Sequence, residues 1–411
     1  MKNEVLYQKL AHLAVRRGVN VQHGQPLIIR ANVRDYAFVE MCAKEAYEAG
    51  ASYVDVDWKD TQLNRLKFQN QSEEVLKDIP DYMHAREEKR VHDKACFLNI
   101  LSDEPGYMKG IDPLKIRACS SAWSKKMQDL HAYTTNNEGQ WCVIGLPSAA
   151  WAKAVFPDLS EEQAYEKLEA AIFMTSRVNE KEDPLAEWEN HDAELIAHAK
   201  KLTSYQFEKL HFTSELGTDL FVNLVKNHIW VGGGDTTPAG VYFDPNIPTE
   251  EVFCMPDRNN VNGIVHASKP LSYGGTVIEN FWFRFEKGRV EEWGAEKGKE
   301  ALDQLIAFDE GSRHLGEVAL VPYDFPISKS GILFFNTLFD ENAACHLALG
   351  RCYPENVGNG IHMSEEELKK AGGNTSLQHV DFMFGTREME VDGIQADGTV
   401  VPVFRHGNYV D

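Results

Sequence analysis

"GQPLIIRANVRDYAFVEMCAKEAYEAGASYVDVDW", residues 24–58, changes its hydrophobic period twice. Residues 26–29 form a short apolar run. Residues 36–47 carry apolar side chains at helical spacing and are closed by Gly50, and residues 52–56 are apolar again. This predicts a strand–helix–strand unit with short connections, which implies two parallel strands joined by a right-handed crossover. Further along, "DKACFLNILSDEP" (93–105) and "GQWCVIGLPS" (139–148) read as additional strands, each followed by helix-like sequence. The first half is therefore expected to be an α/β domain built on an open, mostly parallel sheet. It contains neither G-x-G-x-x-G nor G-x-x-x-x-G-K-S/T, so nucleotide binding is not indicated.

A charged helical stretch continues to about Leu202, after which the texture changes. "FEKLHFTSELGTDLFVNLV" (207–225) alternates like a hairpin around Gly217-Thr218-Asp219. "GGGDTTPAG" (232–240) is a glycine-rich loop, and residues 276–293 read as strand–turn–strand before a helical segment at 294–308. The expectation is a β-rich α+β second half, with domains at 1–200 and 201–411. The first would shape access and the second would carry the chemistry.

With 411 residues, 43% hydrophobic and 26% charged, the chain has material for two cores. Residues 1–19 read as an amphipathic helix with charges throughout, unlike a secretory signal. No uncharged apolar run approaches the length of a membrane span. The seven cysteines (42, 96, 119, 142, 254, 345 and 352) are scattered and include no C-x-x-C pair. They read as reduced thiols in a cytoplasm, with neither a disulfide framework nor a zinc knuckle. A net charge of −21 argues against a nucleic-acid partner, which would require clustered Lys and Arg.

Four stretches of the second half place metal-type ligands among core residues. "PTEEVFCMP" holds Glu250 and Glu251, and "LGEVALVPY" holds Glu317. "LFDENAACHLALGRCYPE" holds Asp340, Glu341, His346 and Tyr353. In "SLQHVDFMFG" (376–385), His379 and Asp381 interrupt an apolar strand two residues apart, so they share one face. Singly, each has an ordinary structural reading: a solvated acid at a strand start, a satisfied core histidine, a buried ion pair. Together they are too many acids to bury without counter-charge, and a divalent cation, or two, supplies it. Imidazole and carboxylate without thiolate suit Zn, Co or Mn. Around His346 the pattern fits helix or strand, and Gly350 with Pro354 favours a strand followed by a turn.

At these stretches the chain resembles the thermophilic metallo-aminopeptidases of the aminopeptidase T, aminopeptidase S and PepS type. The resemblance is carried by "NIPTEEVF", "GILFFNTLFDENAACHLALG" with "RCYP", and "HVDFMFG", and it extends over essentially the whole length. It implies two divalent ions held by Glu251, Glu317, His346, His379 and Asp381, with Tyr353 as the active-site tyrosine. It implies a homodimer that releases N-terminal amino acids from peptides with a free N-terminus, using water or hydroxide activated between the ions. Tyr353 would assist the developing oxyanion, and Glu317 or Glu251 would carry the proton to the leaving amine. Glu341 is a candidate for receiving the substrate ammonium. Two rivals are a non-peptidase protein holding a structural ion and a thiol hydrolase using Cys345 or Cys352.

Overall fold

The structure is a computed structural model that describes residues 2–274 and 276–410; Met1 of the expected N-terminal helix lies outside these residues. The chain forms two compact units, Met1–Asn190 with Gly234–Pro248, and His191–Gly233 with Thr249–Asp411. The segment 234–248 thus belongs with the first unit, although it lies beyond the expected division near residue 200. Its strand Asn246–Ile247 pairs in parallel with Trp141–Gly145, and Ile247 is buried in the first unit's core. Short strands of this kind leave almost no periodic signal of their own.

The first unit is built on five parallel strands in the order Asn246–Ile247, Trp141–Gly145, Cys96–Leu101, Leu27–Asn32 and Val54–Lys59. The opening stretch folds as its period requires. The Asn32 side chain accepts the Arg34 N–H at 3.1 Å, turning the chain from strand into the helix Tyr36–Glu48. Phe38, Val39, Cys42 and Ala46 face inward from that helix, at spacings of three and four residues. The second strand begins at Val54, slightly later than its apolar run suggests, because residues 49–52 are used to close the helix and return to the sheet.

The second unit is antiparallel and sheet-rich. One sheet has the order His379–Met383, His346–Gly350, Leu315–Leu320, Val252–Cys254 and Val231–Gly232. A larger sheet contains the expected hairpin, Lys209–Thr213 with Asp219–Leu224, and the long pair Thr276–Glu286 and Arg289–Lys297. The expected helical segment begins only at Lys299, since residues 294–297 finish the preceding strand. Phe281 and Phe283 of the larger sheet meet Phe382 of the smaller with ring centroids 5.9 and 5.0 Å apart. Val318, Leu320, Leu347 and Leu349 fill the same core. Among the described residues, no helix is long and apolar enough to cross a membrane.

Candidate metal centre

The smaller sheet of the second unit has two unlike faces, and its register assigns side chains to them. Val318, Leu347 and Phe382 stand opposite one another along one row and point into the core. The alternate row places Glu317 opposite Ala348, and Ala348 opposite Asp381. Ala319 stands opposite His346, and Gly350 opposite His379. Directly opposed residues project to the same side, so Glu317, His346, His379 and Asp381 all rise from the face that does not enter the core. His346 lies on a strand, the favoured one of the two conformations left open by its sequence.

Glu317 stands on this face, opposite to Leu315, because of one irregularity. Leu315 pairs with Leu349 and Glu317 with Ala348, so an extra residue, Gly316, bulges between them. In a regular strand residues 315 and 317 would share a face. The bulge reverses this, keeping Leu315 in the core and turning Glu317 out of it. Only glycine fits there: a Cβ at Gly316 would lie 2.2 Å from the Arg351 carbonyl oxygen and 2.4 Å from that of Gly350. Gly350, at φ +118°, is likewise confined, since a Cβ would come 2.1 Å from the Gln378 carbonyl oxygen. The small residues Ala348 and Gly350 leave room above the sheet for the two imidazoles. The sequence shows these small residues beside the ligands, but not what they do.

Two groups of three potential ligands result: Glu251 with Glu317 and His346, and Glu317 with His379 and Asp381. In each, one atom per residue lies within 4.8 Å of the others. His346 Nε2 is 2.9 Å from Glu251 Oε2 and 3.2 Å from Glu317 Oε1. His379 Nε2 is 3.3 Å from Glu317 Oε2 and 3.2 Å from Asp381 Oδ1. Glu317 therefore belongs to both groups, one oxygen in each. Glu251 is the acid of its pair that joins; Glu250 turns elsewhere, with Oε2 3.4 Å from His191 and its N–H donating to Asn342 Oδ1.

The donor set fits a divalent cation. Each imidazole has its Nδ1 beside a backbone carbonyl, Ala344 O at 3.3 Å for His346 and Arg351 O at 2.6 Å for His379, which directs Nε2 inward. Glu251 Oε2 and Asp381 Oδ1 are buried without a hydrogen bond of acceptable geometry, although imidazole nitrogens lie 2.9 and 3.2 Å away. No thiolate takes part, and each group offers imidazole and carboxylate donors from three residues.

Electrostatics tell the same story. Burial pushes the Glu317 carboxyl upward, but its contacts with His346 and His379 outweigh this and bring it to about 2. Burial alone would lower both imidazoles, yet the surrounding carboxylates raise both well above their ordinary value. Glu251 is raised, first by burial. Glu341 is raised well above the usual range, by burial and then by Asp381 and Glu251, and lies outside both ligand groups. Tyr353 follows the His346 strand and packs its ring 4.9 Å from that of His379 and 5.6 Å from Phe253. The residue is 42% exposed, but burial of its phenol end and the charges of Glu317 and Asp381 raise its pKa well above normal, so it remains a donor at neutral pH. Asp340 is spent locally, accepting the N–H groups of Phe334 and Asn336.

The thermophilic metalloprotease (M29) family model matches residues 3–409. The chain belongs to the thermophilic metalloprotease family. Aminopeptidase AmpS of Bacillus subtilis is 45% identical over 399 residues, covering 97% of each chain. Aminopeptidase 2 of Geobacillus stearothermophilus is 42% identical over 401 residues, covering 98% of this chain and 97% of its own. The solved structure of wild-type AmpT from Thermus thermophilus superposes with a TM-score of 0.92 at 40% identity, covering 99% of this chain and 100% of that one. This M29 protein is thus a hydrolytic metallo-aminopeptidase, and the expected fold class holds.

Proposed function

We propose that the enzyme removes amino acids one at a time from peptides with a free N-terminus, at a centre of two divalent ions. The ions would be Zn, Co or Mn, one held by Glu251, Glu317 and His346 and the other by Glu317, His379 and Asp381. The observation that carries the reading is the placement of Glu317, whose two oxygens each face a different imidazole. When bound, the ions would lower the pKa of a water and polarise the scissile carbonyl.

The chain's own residues would do the rest. Tyr353, held protonated, donates to the developing oxyanion. Glu317, kept ionised, orients the two halves of the site. Glu251 or Glu317 carries a proton toward the leaving amine. Glu341, outside both ligand groups, receives the α-ammonium.

Neither rival accounts for the geometry as well. A structural ion favours a closed, thiolate-rich site, whereas both groups here offer imidazole and carboxylate alone. Burial pushes the thiols of Cys345 and Cys352 up to about 11 each, so neither is a nucleophilic thiolate near neutrality. A cytoplasmic setting and a homodimeric state belong to the same proposal. All seven cysteines being free supports the first, and sedimentation would test the second.

The decisive experiment pairs a free-amine peptide with its N-acetylated twin, using metal-stripped enzyme reloaded with each ion in turn. Mass spectrometry should show sequential loss of single N-terminal residues from the free peptide alone. Internal fragments, or equal cleavage of the acetylated twin, would overturn the exopeptidase reading. Elemental analysis showing one tight ion per chain would overturn the two-ion centre.

A further inference from the structure

Asn374 ties together the ends of the three strands that carry Glu317, His346 and His379. It is fully buried, and its side-chain Nδ2 donates to the carbonyl oxygens of Gly350 at 2.6 Å, Gly311 at 2.7 Å and His314 at 3.3 Å. Its backbone carbonyl accepts the Cys352 N–H at 3.0 Å. Oδ1 is buried without a partner, so the nitrogen alone orients the amide. Turned over, the group would set an oxygen against three carbonyl oxygens. A buried acceptor left unsatisfied costs stability, which the bonds of the nitrogen must offset.

Those bonds hold the backbone on which two of the candidate ligands stand. Gly311 and His314 lead into Leu315–Leu320, the strand of Glu317, and Gly350 ends the strand of His346. The carbonyl oxygens of Gly350 and Arg351 are the atoms that crowd Gly316, 2.4 and 2.2 Å from where its Cβ would lie. The Arg351 oxygen also stands 2.6 Å from His379 Nδ1. Residues 350–352 therefore both limit the bulge that aims Glu317 and turn His379 inward. Asn374 grips them on either side of Arg351. His346 lies at the opposite end of its strand from Gly350, and Glu251 directly precedes a strand on the far side of that of Glu317.

We propose that Asn374 is a positioning residue for Glu317 and His379. It sets the affinity of the group Glu317, His379 and Asp381 for its divalent ion and leaves the group Glu251, Glu317 and His346 largely unaffected. The assignment rests on the two-ion reading above.

The test titrates Zn²⁺ into metal-stripped enzyme by calorimetry, with Asp381→Asn and Glu251→Gln assigning the two binding steps. Asn374→Ala removes all three bonds of the nitrogen; Asn374→Ser, which keeps a short donor, serves if the alanine variant fails to fold. Either should weaken the step that Asp381→Asn weakens by about 10- to 100-fold, the range for losing an outer partner of a metal ligand, and keep the other. Loaded with Co²⁺, the variant should show a shifted visible absorption spectrum, which a fall in stability alone would not produce. Val391→Ala, in the core of the larger sheet, controls for destabilisation and should keep both steps. Equal weakening of both steps, or of neither, would overturn the assignment, as would the same loss in Val391→Ala. A wild type that holds one ion by elemental analysis would overturn the two-ion reading and this assignment with it.

Discussion

Glu317 holds its Oε2 within 3.3 Å of His379 Nε2 while its other oxygen faces away from that ring, toward His346. A single side chain therefore ties together two groups of candidate ligands that rise from three neighbouring strands and from Glu251, which directly precedes a fourth. The remaining ligands each serve one group.

Glu317→Gln should accordingly weaken binding of both ions, because the amide carries no negative charge to share between the groups and its nitrogen, which one of them would always receive, cannot ligate. Glu251→Gln and Asp381→Asn should each weaken one ion preferentially. Elemental analysis after gel filtration distinguishes these patterns. A Glu317→Gln enzyme that keeps one ion at full occupancy would show that the shared placement has no role in binding.

Gly316→Ala tests the bulge. The added Cβ would lie 2.2 Å from a carbonyl oxygen, so the backbone must shift and carry Glu317 with it. Turnover should fall about 10²-fold or more, as displacement of a catalytic group by roughly 1 Å can do. Stability should fall by about 1–3 kcal/mol, read from urea unfolding. Wild-type turnover in this variant would mean that the bulge does not aim Glu317.

Tyr353→Phe should keep both ions and lower kcat by about 10²–10³, the range for removing one oxyanion donor. Because the phenol is held protonated at neutral pH, the variant should not alter the acid limb of the pH profile. Loss of metal from Tyr353→Phe would make the tyrosine a ligand.

Metal loading should release protons at pH 7. The surrounding carboxylates raise the pKa values of His346 and His379 well above the ordinary imidazole value, which favours the protonated form of each in the metal-free cluster. Their Nε2 protons must leave before either can ligate. Metal affinity should therefore weaken as pH falls, beginning above about 6.5, the unperturbed imidazole pKa. Calorimetry in buffers of different ionisation enthalpy counts the protons. A count of zero at pH 7 would contradict neutralisation of the pair on binding.

Much of this enzyme is legible without coordinates. The two period changes in residues 24–58 already require a parallel α/β unit, because a buried strand and an amphipathic helix impose different spacings on apolar side chains. The alternation at 379–383 likewise puts His379 and Asp381 on one face, since side chains in a strand repeat every two residues. Local geometry of this sort is written in local sequence.

Register, bulge and long-range approach are not. That Glu317 turns out of the core depends on Gly316 bulging against Leu349 and Ala348, more than thirty residues away. That it reaches both histidines depends on which strands pair and in what order. Read alone, "LGEVAL" would put Leu315 and Glu317 on the same side. Asn246–Ile247, too short to show a period, joins the first unit's sheet only through its pairing with Trp141–Gly145. The sequence by itself determined the two kinds of sheet and put His379 and Asp381 on one face of a strand, because those follow from the spacing of neighbouring residues. Only the tertiary structure decided that one carboxylate is shared by two imidazoles, because that requires three strands in one register and a single extra residue between them.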